Sequence, residues 1–107
     1  MEVEQYQVYW VNLDPTIGSE IRKTRPCLVI SPNEMNEHLN TIIVAPFTST
    51  LRSYPSRVNC ILNGKASAIA LDQVRAIDKR RLIAYIDLLD APTIIKEKEI
   101  IEEMLVK

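Results

Sequence analysis

Only two glycines, Gly18 and Gly64, occur in 107 residues, so the chain has no glycine-rich loop of the dinucleotide or nucleoside-triphosphate type, whose backbone amides must approach a phosphate closely. Histidine is scarcer still: His38 is the only one, it lies in a short polar connector, and it reads as surface decoration. No histidine is placed to serve a serine or cysteine nucleophile, and a GxSxG elbow and an HExxH pair are both missing. The two cysteines, Cys27 and Cys60, fall inside apolar runs without CxxC spacing, which argues against a structural zinc site. A Cys27–Cys60 disulfide is open in principle, but buried reduced thiols are the better reading for a cytosolic chain. No apolar run approaches the ~20 residues of a membrane span. The acidic start Met-Glu-Val-Glu-Gln, with no apolar stretch behind it, is unlike a signal or transit peptide. These absences remove most enzyme classes and point to an intracellular protein.

What is present is an ordinary globular composition, 47% hydrophobic and 25% charged. The length suits one domain over residues 1–107, with a core that needs no disulfide or metal staple. The net charge of −1 conceals sorting along the chain. Residues 1–17 and 83–107 each sum to −3, whereas residues 18–82 hold ten cations against five carboxylates, a balance of +5. The cations cluster at 22–25, 52–57 and 75–81, which fits a local basic groove as readily as a solvated surface.

The segment Val8-Tyr-Trp-Val-Asn-Leu13 is β-branched and aromatic and stops at Asp14-Pro15, a strand ended by a turn. A loop over 14–25 follows, and connections of about 12 residues without structure are usually functional or disordered. The continuous apolar run from Pro26 to Ser31 predicts a strand buried on both faces. Residues 33–40 predict a helical turn or two, with Asn33 as N-cap and Met35 and Leu39 inward. A third strand is expected over 41–47, where Pro46 marks a bulge or an edge. Arg57 to Leu62 runs into Asn63-Gly64, the strongest hairpin signal in the chain, and the return strand over 67–71 continues after Asp72 into 73–77. A charged turn over 78–81 precedes a strand over 82–87. Asp90 then caps a final helix, with Pro92 in its first turn and Ile94, Ile101, Met104 and Leu105 on one face. Many short strands followed by one amphipathic helix predict a mainly β chain with α: a small antiparallel coiled sheet or open barrel with short helical segments, the C-terminal helix packed on one side.

The densest polar cluster is Gly18-Ser-Glu20 through Arg25, and the next is Thr48-Ser-Thr50 at the end of the third strand. If the second and third strands pair antiparallel, Arg25 at the start of one and Thr48 at the end of the other lie side by side. A guanidinium, a hydroxyl and a carboxylate on one rim suit a phosphodiester, because arginine offers a planar fork of donors while glutamate accepts a proton. An ordinary Glu20–Arg25 ion pair tethering the loop explains the same residues.

Three stretches extend this reading. They are Val8-Tyr-Trp-Val-Asn-Leu-Asp-Pro-Thr-Ile-Gly-Ser-Glu20 with Thr24-Arg-Pro-Cys-Leu-Val-Ile-Ser31, then Val44-Ala-Pro-Phe-Thr-Ser49, then Ile69-Ala-Leu-Asp-Gln-Val-Arg-Ala-Ile-Asp-Lys-Arg-Arg-Leu82. In this order, over about residues 6–83, they resemble the motifs of the MazF/PemK family of toxin endoribonucleases. The resemblance implies a CcdB/MazF-like fold, an open SH3-like barrel. It implies a ribonuclease that cuts single-stranded messenger RNA at a short sequence without metal or other cofactor. The ribose 2′-hydroxyl attacks the adjacent phosphorus, leaving a 2′,3′-cyclic phosphate and a 5′-hydroxyl. It further implies a cytoplasmic bacterial toxin that forms a homodimer and is held inactive by a small acidic MazE-like antitoxin. Such a toxin meets operator DNA only together with that antitoxin and has no membrane partner.

Carried over residue by residue, Arg25 in Thr-Arg-Pro corresponds to the arginine that binds and stabilises the scissile phosphate, and Thr48 to its hydroxyl partner. Glu20 corresponds to a carboxylate near the same site, able to accept the 2′-hydroxyl proton or to orient Arg25. Asp72, Gln73 and Arg75 correspond to positions lining the RNA groove, the first two suited to base edges and Arg75 to backbone or structure. Ser19, Arg22, Lys23, Ser49 and Arg52 complete the expected RNA-binding set. A guanidinium holds its proton too tightly to be a ready acid, which suits Arg25 to stabilising charge rather than donating a proton. The PemK-like branch has a histidine at the position of Ser19 and an arginine at that of Ala70, so an acid/base scheme built on that pair does not transfer. Residues 21–24 read Ile-Arg-Lys-Thr where relatives commonly have a glycine. Two other functions stand on the same fold. One is a catalytically silent binding or autoregulatory module, against which Glu20, Arg25 and Thr48 together argue. The other is a DNA gyrase inhibitor of the CcdB type, whose gyrase contact depends on a tryptophan near the chain end, where this chain reads Glu-Glu-Met-Leu-Val-Lys.

Overall fold

The β-branched and aromatic runs become seven strands and the polar-faced segments two helices, in a computed structural model that describes residues 2–106 apart from 16, 19 and 22. In chain order these are β1 (Gln7–Asn12), β2 (Thr24–Val29), α1 (Asn33–His38), β3 (Thr41–Thr48), β4 (Arg57–Leu62), β5 (Lys65–Ala70), β6 (Arg75–Asp78), β7 (Leu82–Leu88) and α2 (Ala91–Ile101). Single 3₁₀ turns, Leu71–Gln73 and Lys79–Arg81, flank β6. The sheet runs β4-β5-β3-β2-β1-β7, with β6 paired to β3, and every pairing is antiparallel. The mainly β, antiparallel coiled sheet with a C-terminal helix is as expected.

Cys27, Leu28 and Val29 in β2 are all fully buried, because successive side chains enter opposite faces and both faces are covered. On one face Tyr9, Val11, Cys27, Val29, Ile42, Val44 and Ile77 pack together. On the other, Val8, Leu28, Ala45, Phe47, Val58 and Ile69 meet α2 through Ile94, Ile100 and Ile101. Each buried Leu or Phe contributes about 1.5–3 kcal/mol, so two cores across one sheet lock its curl.

Pro46 lies two residues from the end of β3, which is a central strand of the sheet. It is fully buried, opposite Cys27 of β2. On its other side β3 pairs with β6 over 41–44 and with β5 over 47–48, so the proline falls where the strand changes neighbours and its missing N–H deprives no ladder.

Three expectations about the helices are corrected. α1 is preceded by Pro32 rather than capped by Asn33, whose Oδ1 accepts the Gln5 amide at 2.7 Å. Leu39 is 48% exposed, because the chain is already extended there; the inward residue is Asn36, whose Nδ2 donates to the Ser31 carbonyl at 2.9 Å. In α2, Asp90 caps as expected, accepting the Thr93 amide at 3.1 Å, and Ile94 and Ile101 pack inward. Met104 and Leu105 are exposed instead, since residues 102–106 widen into a π turn that rotates them off the buried face.

Candidate functional site

The site begins with a register. Cys27 faces Pro46 and Val29 faces Val44 across β2 and β3; the paired segment ends there, and its register extended by two residues puts Arg25 and Thr48 at the same rim. On its other side Arg25 is paired with Val11 of β1. Arg25 and Thr48 line one groove of about 260 Å³, along with Trp10, Pro26, Phe47, Ser49 and Ile86.

The far wall is the β4–β5 hairpin, through Leu62, Asn63, Lys65, Ala66 and Ser67. Asn63 and Gly64 have φ of 50° and 77°, the two left-handed residues that a two-residue type I′ turn demands. Ser67 Oγ donates to the Thr48 carbonyl at 3.2 Å, which pins the hairpin beside the end of β3. Thr48 Oγ1 accepts the Thr50 amide at 3.2 Å. Among the described residues the groove is lined by two cations, Arg25 and Lys65, and by no carboxylate, so its field favours an anion.

The loop expected over 14–25 stops at Lys23, because β2 opens at Thr24 with Thr24 and Arg25 already paired to β1; it is fastened from both sides. Leu13 donates its amide to the Lys23 carbonyl at 3.0 Å, and the Lys23 amide donates to Asp14 Oδ1 at 2.9 Å. Those two bonds hold Lys23 at φ 69°, a conformation glycine adopts most readily. The Ile21 amide donates to Gln73 Oε1 at 3.3 Å, and Arg75 Nη1 to the Leu13 carbonyl at 3.1 Å. Arg81 donates to the carbonyls of Asn12 and Asp14. Glu20 is exposed, and its Oε1 accepts the Ile17 amide at 2.6 Å across a turn in which Gly18 has φ 61°.

The remaining expected residues gather around Tyr54. Asp72 accepts from Arg57 Nε at 2.7 Å, from Arg57 Nη2 at 3.1 Å and from Ser56 Oγ at 3.1 Å. The Arg57 guanidinium holds its carboxyl below the ordinary value. Arg57 and Arg52 lie 5.3 and 5.9 Å from the centre of the Tyr54 ring. The structure therefore brings Arg25, Thr48 and Ser49 to the groove. Glu20, Lys23, Gln73 and Arg75 belong to the loop ahead of β2 and its fastenings, and Arg52 and Asp72 to the Tyr54 cluster. Ser19 and Arg22 lie outside the described residues.

Trp10 and Lys65 escaped the sequence reading. The Asn63-Gly64 turn told where Lys65 would emerge, but not which strand end it would face. Both cysteines are free, and burial pushes their thiols up, Cys27 to about 12 and Cys60 to about 11, which makes them poor nucleophiles. Among the described residues no three His, Cys, Asp or Glu side chains are grouped to hold a metal ion, and no helix is long and apolar enough to cross a membrane.

The family described as PemK-like, MazF-like toxin of type II toxin–antitoxin system matches residues 4–105. Endoribonuclease EndoA of Bacillus subtilis is 35% identical over 96 residues, which cover 84% of this chain and 83% of EndoA. The fold is shared with MazF of Deinococcus radiodurans, at TM-score 0.88 and 24% identity over 100% of this chain and 99% of that one. It is shared also with an endoribonuclease in complex with its cognate antitoxin from a mycobacterial species, at TM-score 0.83 and 21% identity over 97% and 95%. Since the family match runs from before β1 to the last turn of the C-terminal helix, the chain belongs to the PemK-like, MazF-like toxins of type II toxin–antitoxin systems.

Proposed function

We propose that this toxin is a cytoplasmic endoribonuclease that cleaves single-stranded messenger RNA by 2′-hydroxyl attack, and that a small acidic antitoxin restrains it. The observation that carries the reading is the shared groove of Arg25 and Thr48, cationic and free of carboxylates among its described lining residues, in a chain 35% identical to an endoribonuclease. As the ribose oxygen closes on phosphorus, negative charge grows on the equatorial oxygens. Arg25 meets it with a planar two-pronged donor set and Thr48 with a hydroxyl, interactions that strengthen in the transition state. Glu20 accepts the 2′-hydroxyl proton or orients Arg25; its Oε1 takes the Ile17 amide, and a carboxylate keeps its second oxygen for a proton or a guanidinium. Ser49 contacts RNA in the groove. Ser19, Arg22, Lys23 and Arg52 supply further contacts to RNA beyond the groove, while Gln73 and Arg75 act by fastening the loop ahead of β2 and Asp72 by holding Arg57. The toxin works as a homodimer, through apolar residues such as Ile83, Tyr85 and Leu88 left exposed on the edge strand β7. It meets operator DNA only with its antitoxin.

The test is incubation of the purified protein with a long single-stranded RNA, with and without EDTA. Discrete fragments bearing 5′-hydroxyl and 2′,3′-cyclic phosphate ends, unaffected by the chelator, are expected. Intact RNA would mark a catalytically silent module, and loss of cleavage in EDTA would require a metal-dependent route.

A further inference from the structure

We propose that Trp10 and Lys65 form a nucleotide subsite beside the Arg25–Thr48 pair, Trp10 stacking a base of the single-stranded RNA and Lys65 holding a neighbouring phosphate; the inference rests on the function proposed above. Trp10 is the only tryptophan in the chain and is 41% exposed, although its neighbours Tyr9 and Val11 are 2% and 0% exposed. Its cross-strand partners are Pro26 on β2 and Ala84 on β7, neither long enough to cover an indole. The β1–β7 ladder shifts register between Val8 and Tyr9 and again between Trp10 and Val11. Such irregularities re-aim side chains and recur beside functional sites. The indole thus stands uncovered in the lining of the groove that Arg25 and Thr48 share.

Lys65 opens β5 directly after the hairpin turn, is exposed, and has no ion pair with a described carboxylate. It reaches the same groove, and the Ser67–Thr48 bond fixes the hairpin's distance from Thr48. An aromatic face and a cation on either side of a phosphate-binding arginine are what a single strand needs. Its bases stack on aromatic side chains irrespective of identity, while cations track its backbone. A duplex, with bases already stacked, gains nothing from the indole.

The probe follows from mapping one bond that the wild type cuts in a long RNA. An oligonucleotide across that bond, carrying a 2′-deoxyribose at the cut position, binds without being cleaved. Trp10 emission should change saturably with this oligonucleotide. Trp10→Ala should weaken its binding about 5- to 100-fold, followed by anisotropy of a labelled strand, and Trp10→Phe should restore most of the loss. An abasic nucleotide at the stacked position should weaken wild type and leave Trp10→Ala nearly unaffected. Lys65→Gln should make the slope of log Kd against log salt shallower by about 0.7, one single-strand phosphate contact. The subsite is refuted if emission is unchanged at saturation, if every abasic position costs Trp10→Ala as much as wild type, or if emission responds to dilution of the protein rather than to RNA, which would make Trp10 a contact between copies. Refutation in a protein that still cleaves RNA leaves the proposed function standing; a wild type that cleaves no RNA overturns both.

Discussion

At the start of β2 a guanidinium and an ammonium are not interchangeable, because only the first offers a planar fork to two phosphate oxygens. Arg25→Lys keeps the charge and is expected to lower the single-turnover cleavage rate by about 100-fold or more, comparable to losing an oxyanion donor. Thr48→Val removes one hydroxyl at nearly constant shape and should cost less. It also gives up the bond from the Thr50 amide, so its melting temperature is measured alongside. Glu20→Gln separates two roles. If Glu20 is the base, the acidic limb of the pH–rate profile disappears; if it orients Arg25, the limb persists at a lower rate. A 2′-deoxyribose at the cut position should bind and resist cleavage, and cutting at that same bond would remove the proposed nucleophile.

Among the elements, α2 carries a carboxyl where the core would prefer none. Glu97 is 4% exposed and its Oε2 has no hydrogen-bond partner. Burial pushes its pKa above the ordinary 4.5, with the Lys98 ammonium opposing. The Tyr6 hydroxyl is the other titratable group coupled to it. With the folded value raised above the unfolded one, this group's contribution to stability is complete below the unfolded pKa and is lost as pH rises through the folded pKa. Asp72, Asp78 and Asp90, whose carboxyls are held below the ordinary value by Arg57, Arg80 and Thr93, contribute with the opposite sign, so the readout is a difference: the melting temperature of Glu97→Gln relative to wild type should rise from about pH 4 towards neutrality, as Glu97's part of the slope is removed. An unchanged slope in the variant would mean that another group sets it.

For the whole molecule, the expectation is a two-fold dimer. Ile83, Tyr85 and Leu88 on the edge strand are each more than half exposed, and an edge strand whose one charge is Asp87 leaves enough apolar surface to invite pairing. Sedimentation at micromolar concentration should give the dimer mass, and a monomer that cleaves RNA would refute it. A cognate antitoxin of opposite charge, seated on the basic groove, should compete with RNA. Unchanged cleavage at saturating antitoxin would show that the two do not share a surface.

The strands, the Asn63-Gly64 hairpin and the Asp90 cap were legible in the sequence, because turn chemistry, capping and side-chain alternation act between residues a few positions apart; that Arg25 and Thr48 share a rim depended on supposing that the second and third strands pair antiparallel. Their elements are local; their meeting is not. That Pro46 sits buried where β3 changes neighbours, that Gln73 and Arg75 reach back to fasten the loop ahead of β2, and that Lys65 and Trp10 line one groove follow only from the sheet order β4-β5-β3-β2-β1-β7. That order is set by which long-range pairing buries both faces of β2 and β3 at once, a balance of apolar surface over the whole chain that no short window of residues contains.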